Sequence, residues 1–168
     1  MLNIRIEEGY LYKEEIKELF REYTNMLVEN DEEFKNYLEI QNYDEELHDL
    51  ELKYSKPWGR IYIVFCDDKP AGCIALKKLD KLNCEMKRLY VRKEYRGKKI
   101  SEKLINKIID DAVNIGYKHM LLDTLPFLKS AIHLYKKFGF YEIEGYNNSP
   151  MDTSIYMKLD LDKNQFAE

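Results

Sequence analysis

The chain is short of cysteine, with three among 168 residues: Cys66, Cys73 and Cys84. An odd number at wide, irregular spacing fits neither a disulfide framework nor a zinc site, so these thiols read as small apolar strand residues and no metal is expected. No apolar run approaches the roughly 20 residues that cross a bilayer, which argues against a membrane partner. The opening residues, MLNIRIEEGY, lack a charged-then-apolar signal pattern, making cytoplasm the expected location. Repeats, low-complexity tracts and linkers are absent as well, so residues 1–168 are expected to form one domain, large enough to bury a core without staples. A broad basic face is also lacking: net charge is −4 and positive residues gather in one compact patch, an argument against nucleic acid.

What the chain does have is an ordinary apolar share of 45%, a charged share of 35% and 14 tyrosines, each able to bury a ring while keeping its hydroxyl bonded. Charge is unevenly divided. Residues 1–56 hold 16 Asp or Glu against 7 Lys or Arg, a balance of −9, and the remainder holds 15 against 20, a balance of +5. Most of the acidic excess falls on expected helix surfaces and reads as a solvated face. The basic excess is local. Residues 84–103 carry eight Lys or Arg against three Glu, in an apolar-alternating run that breaks into Arg92-Lys-Glu-Tyr-Arg-Gly-Lys-Lys99 and then into a helical pattern. Strand, basic turn, helix is how a chain presents unpaired backbone N–H groups to a phosphate.

Periodicity sets the elements around that turn. A short strand is expected at 3–6 and an amphipathic helix at 13–29. Residues 31–43 read as a second helix or an irregular segment. A further helix at 43–54 takes Asp44 as its N-cap and Leu47, Leu50 and Tyr54 as its apolar side. Strands at 60–66 and 71–79 form a hairpin, followed by a strand at 83–91, a helix at 100–115 stopped by Gly116, and a strand at 119–124. A short helix starts at Ser130 and ends at Gly139, before strands at 140–144 and 154–161 and a fraying tail at 162–168. The expected fold class is α/β (α+β by some schemes), with a mixed central sheet of six to seven strands and helices on both faces. Trp58, beside Pro57, reads as a hydrophobic plug. His119 and His133 read as ordinary flank residues.

From about residue 61 to 161 this order of elements resembles the GNAT superfamily of acetyl-CoA-dependent N-acetyltransferases. In that family an Arg/Gln-x-x-Gly-x-Gly/Ala turn between the fourth strand and third helix cradles the pyrophosphate of coenzyme A. Here Arg96-Gly97-Lys98-Lys99-Ile100-Ser101 occupies its place. A second signature, a short helix ending Leu-Tyr-x-x-x-Gly-Phe, matches Leu134-Tyr135-Lys-Lys-Phe-Gly139-Phe140. Leu122-Asp123-Thr124 and the strand from Glu85 to Val91 are similar to an uncharacterised bacterial branch of the family. One departure stands out: Lys99 and Ser101 replace the small residues of the turn, where a backbone without Cβ lets phosphates approach. Either Lys99 points outward and adds charge while Ser101 donates to a phosphate, or cofactor affinity is weakened.

The resemblance implies transfer of acetyl from acetyl-CoA to a primary amine of a small molecule or peptide, by direct attack in a ternary complex. It implies that Arg96, Gly97, Lys98, Lys99, Ile100 and Ser101 hold the pyrophosphate, with Arg92 or Lys93 on the 3′-phosphate. Leu89, Tyr90 and Val91 would offer backbone groups to the pantetheine arm. Glu85 is implied as general base and Tyr135 as general acid, and no cysteine sits in an activating pair. Asp123 either orients the substrate amine or caps its loop, and residues 145–150 line the acceptor pocket. The alternative is a CoA or polyphosphate sensor without turnover. The sequence leaves the acceptor and a homodimer open.

Overall fold

Side-chain alternation decides the layering. The computed structural model describes residues 1–147 and 149–161, so the expected tail at 162–168 lies outside the described residues. In chain order its elements are β1 (Ile4–Glu8), α1 (Lys13–Asn30), α2 (Phe34–Ile40), α3 (Tyr43–His48), α4 (Glu51–Tyr54), β2 (Arg60–Cys66), β3 (Lys69–Lys78), β4 (Asn83–Val91), α5 (Ile100–Ile115), β5 (His119–Thr124), α6 (Lys129–Lys137), β6 (Tyr141–Ile143) and β7 (Ile155–Asp160). The strands form one sheet in the order β1-β2-β3-β4-β5-β7-β6. Every neighbouring pair is antiparallel except β4 and β5, which α5 joins as a crossover. This is the expected mixed sheet with helices on both faces.

Along β2, Ile61, Ile63 and Phe65 face one way and pack with Ile16, Leu19 and Phe20 of α1, together with Leu50 and Tyr54. Tyr62, Val64 and Cys66 face the other way, onto Ile100, Leu104, Ile105, Ile108 and Ala112 of α5. Both faces of the central strands are therefore dry, which explains their near-continuous apolar sequence. A third cluster (Leu27, Phe34, Tyr37, Leu38, Tyr43, Leu125 and Met151) joins the end of α1 and α2 to the loops after β5 and before β7. Among the described residues no helix is long and apolar enough to cross a membrane.

Three expectations change. The helix over 43–54 is two short helices, because Asp49 leaves helical backbone and its side chain accepts from the Glu51 amide at 3.1 Å. Asp44 lies inside the first turn of α3, whose N-cap position is Asn42 in left-handed backbone (φ 56°). Trp58 is 49% exposed, with the Lys78 ammonium 4.5 Å above its ring, so it is no plug. Gly116 ends α5 as expected at φ 108°, with the Tyr117 amide closing back on Ala112 O at 3.1 Å.

Candidate active site

The sheet opens at its one parallel junction. β4 pairs with β5 only at Asn83, Cys84 and Glu85. Beyond that point β4 runs on to Val91 paired with β3 alone, while Leu122, Asp123 and Thr124 of β5 stay paired with β7. A β-bulge accompanies the separation. The β3 partners jump from Tyr90 to Lys87, and Arg88 takes up the extra length in left-handed backbone at φ 61°. The bulge breaks strict alternation, so Lys87 and Arg88 both reach the α2–α3 side.

On the α5 side the gap continues into a cleft of about 740 Å³. Its walls include Leu89, Tyr90, Val91, Arg96, Gly97, Lys99, Ile100 and Ser101 from one side, and residues 127–131 and Tyr135 from the other. The backbone amides of residues 97–102 have no hydrogen-bond acceptor among the described residues, and no side chain caps α5. These are orphan donors at the positive end of a four-turn helix. Gly97 has φ 81° and open space where a Cβ would stand. Lys99 adopts φ 61°, the left-handed backbone that a glycine would enter freely. Arg96 is anchored through Nε on Val91 O at 2.9 Å, which leaves its two terminal nitrogens for a ligand. Lys98 lies outside the cleft lining. Arg92 is held on Glu22 at 3.0 and 2.6 Å and on Pro70 O, and it does not line the cleft.

A smaller cavity of about 30 Å³ occupies the gap itself, lined among others by Tyr37, Gln41, Lys87, Arg88, Asp123, Thr124 and Tyr135. Tyr23, Leu89, Leu128 and Tyr135 line both spaces, so the two meet there. Tyr135 is buried, and its hydroxyl makes no hydrogen bond among the described residues. Burial, with Tyr23 and Asp123 nearby, pushes its ionisation above the ordinary phenol value. It therefore stays protonated and is an available donor.

Glu85 is 4% exposed and is not among the residues that line the cavity. It accepts from Tyr146 Oη at 2.6 Å and lies 3.8 Å from Lys87 Nζ. Burial drives the Lys87 ammonium down from its usual value, and Arg88 beside it acts the same way. Asp123 accepts from the Tyr37 hydroxyl and, at 3.0 Å, from Asn147 Nδ2. Glu46, fully buried on α3, holds Arg88 at 2.8 and 2.9 Å and Lys53 at 2.9 Å. Burial alone would raise its carboxyl, but the Arg88 charge and hydrogen bonds, with Lys53, hold it at about 2. Burial pushes the Cys73 and Cys84 thiols well up, against any nucleophilic use.

Sequence reasoning missed Glu46, Gln41 and Tyr37, and gave Tyr146 only as part of the 145–150 loop at the acceptor pocket, without its bond to Glu85. Their partners lie 42 to 86 positions away in the chain, beyond the reach of local pattern. The available signal was arithmetic: Lys87 and Arg88 on a strand whose single carboxylate is Glu85 demand further buried counter-charge.

The profile of the acetyltransferase (GNAT) family matches residues 14–140. An uncharacterized N-acetyltransferase of Schizosaccharomyces pombe is 40% identical over 134 residues, covering 79% of this chain and 82% of that one. The crystal structure of an acetyltransferase from Streptococcus agalactiae superposes with a TM-score of 0.76 at 20% identity, covering 94% of this chain and 98% of that one. A GNAT family acetyltransferase from Elizabethkingia anophelis, solved with acetyl-CoA bound, gives 0.54 at 22% identity over 62% of this chain and 77% of its own. By the extent of the family match, and with its sheet parted at the same junction that carries the basic turn, the chain belongs to the GNAT family of acetyltransferases.

Proposed function

We propose that the protein moves an acetyl group from acetyl-CoA to a primary amine by direct attack in a ternary complex. The observation that carries this reading is the cleft that runs from six unpaired amides at the start of α5 to the gap between β4 and β5. Acetyl-CoA supplies the activated acyl group, and the cleft suits it: a cationic amide cradle at one end, and at the other a strand edge free to pair with an amide-bearing arm.

In this reading Gly97, Lys99, Ile100 and Ser101 offer backbone N–H groups to the pyrophosphate, and Arg96 and Lys98 add charge. Leu89, Tyr90 and Val91 present the strand edge. Tyr135 stands where the two spaces meet, and its protonated hydroxyl donates to the departing sulfur as the new C–N bond forms and the C–S bond breaks. Glu85 takes the proton that the amine gives up, through an intervening water, since its buried carboxylate is not itself part of the cavity lining. Positioning of amine and thioester carries most of the acceleration.

Isothermal titration with acetyl-CoA tests the reading. Wild type is expected to bind at micromolar concentration, and Arg96→Glu to lose that binding while remaining folded. No heat from folded wild type would sink the proposal.

A further inference from the structure

The small cavity has opposite charges on opposite walls. On the β4 side Lys87 and Arg88 line it, within a cluster whose other members (Lys53, Glu46 and Glu85) do not, and in which three cations meet two carboxylates. One positive charge is left over. Lys87 Nζ gives one hydrogen bond to Gln41 Oε1 at 2.7 Å, and Arg88 is bonded through Nε and Nη2 only, so donors on both remain free among the described residues. Across the gap Asp123 is hydrogen-bonded by two neutral groups, Tyr37 and Asn147, and has no ion-pair partner within 4 Å among the described residues. Beside it Thr124, 7% exposed, carries a buried hydroxyl with no hydrogen-bond partner, and Thr124 lines the same cavity. Unpaired buried polar groups are costly, and a polar ligand relieves them.

Resting on the acetyl-transfer reading above, we propose that the acceptor is a zwitterion, a free α-amino acid. Its carboxylate is received by Lys87 and Arg88, and its ammonium by Asp123 with the Thr124 hydroxyl alongside. A simple alkylamine would leave the free donors of Lys87 and Arg88 without an anion, and a diamine would set a second cation against them.

The test uses the wild-type protein, acetyl-CoA and a panel of L-α-amino acids, each paired with its carboxamide, together with simple alkylamines and diamines. Thiol release and product mass are the readouts. At least one free acid is expected to exceed its amide by about tenfold or more in kcat/KM, the scale of one good charge contact. Lys87→Met should bring the pair to parity. Asp123→Asn should raise the acceptor KM by a similar factor while the KM for acetyl-CoA holds, which a general loss of folding would not do. Amides or alkylamines used as well as the acids by wild type would overturn the zwitterion and leave acetyl transfer standing. No transfer to any amine, from protein that binds acetyl-CoA, would overturn both.

Discussion

Glu46 is the residue on which the site's wall depends. It has no exposed surface and holds two cations, one of them itself buried. Replacing such a pair whole can be neutral, but removing one member strands a charge in a dry interior. Glu46→Gln is therefore expected to lower stability by about 3–5 kcal/mol in urea unfolding, because Arg88 keeps its charge and loses its partner. The acid limb gives a second reading of the same contact. The folded carboxyl, at about 2, lies below its ordinary 4.5, so its stabilisation is complete above pH 4.5 and fades as pH falls toward 2. The difference in stability between wild type and Glu46→Gln should shrink over that window. A constant difference would mean that packing, not charge, sets the cost.

At the scale of elements, Lys99 is the informative case. It joins the basic turn to α5 in left-handed backbone, a conformation that costs a side chain about 1–2 kcal/mol. Lys99→Gly should relieve that strain, less about 0.5–1 kcal/mol of added unfolded-chain entropy, and raise Tm by a few degrees. Lys99→Ala, which keeps the Cβ, should not. The sequence made α5, its stop at Gly116 and the basic turn legible, because capping and 3.6-residue periodicity are written locally. It hid the break at Asp49, since Leu47, Leu50 and Tyr54 keep helical spacing straight through it. At Asp49 the backbone turns extended and its side chain takes the Glu51 amide instead. The bulge at Arg88 was equally hidden, having neither glycine nor turn residue to announce it. Acidic residues of the first 56 read as a solvated face, and most are; Glu46 differs through a partner 42 residues away.

For the whole molecule, the succession of strand, basic turn, helix and strand over 83–124, beside the hairpin at 60–79, was enough to foresee a mixed sheet with helices on both faces. The parting of β4 from β5 was beyond such reasoning, because it depends on which strand β5 prefers, and β5 stays with β7 along its full length. Strand order is a competition among long-range pairings and leaves little trace in any one segment.

That junction has a mechanical consequence. Two stretches of otherwise continuous ladder, β1 to β4 and β5 to β7, are joined across it by just three register positions, so the sheet resembles a zipper drawn part of the way down. Amide protons of residues 86–91 that point into the opening have no strand to guard them, although they lie at the middle of the sheet. Hydrogen exchange should therefore reveal a fast strip between two slow ones. Acetyl-CoA should slow that strip more than any other strand, as an added edge would. Uniform protection across β4 without ligand would mean that the zipper is closed in solution.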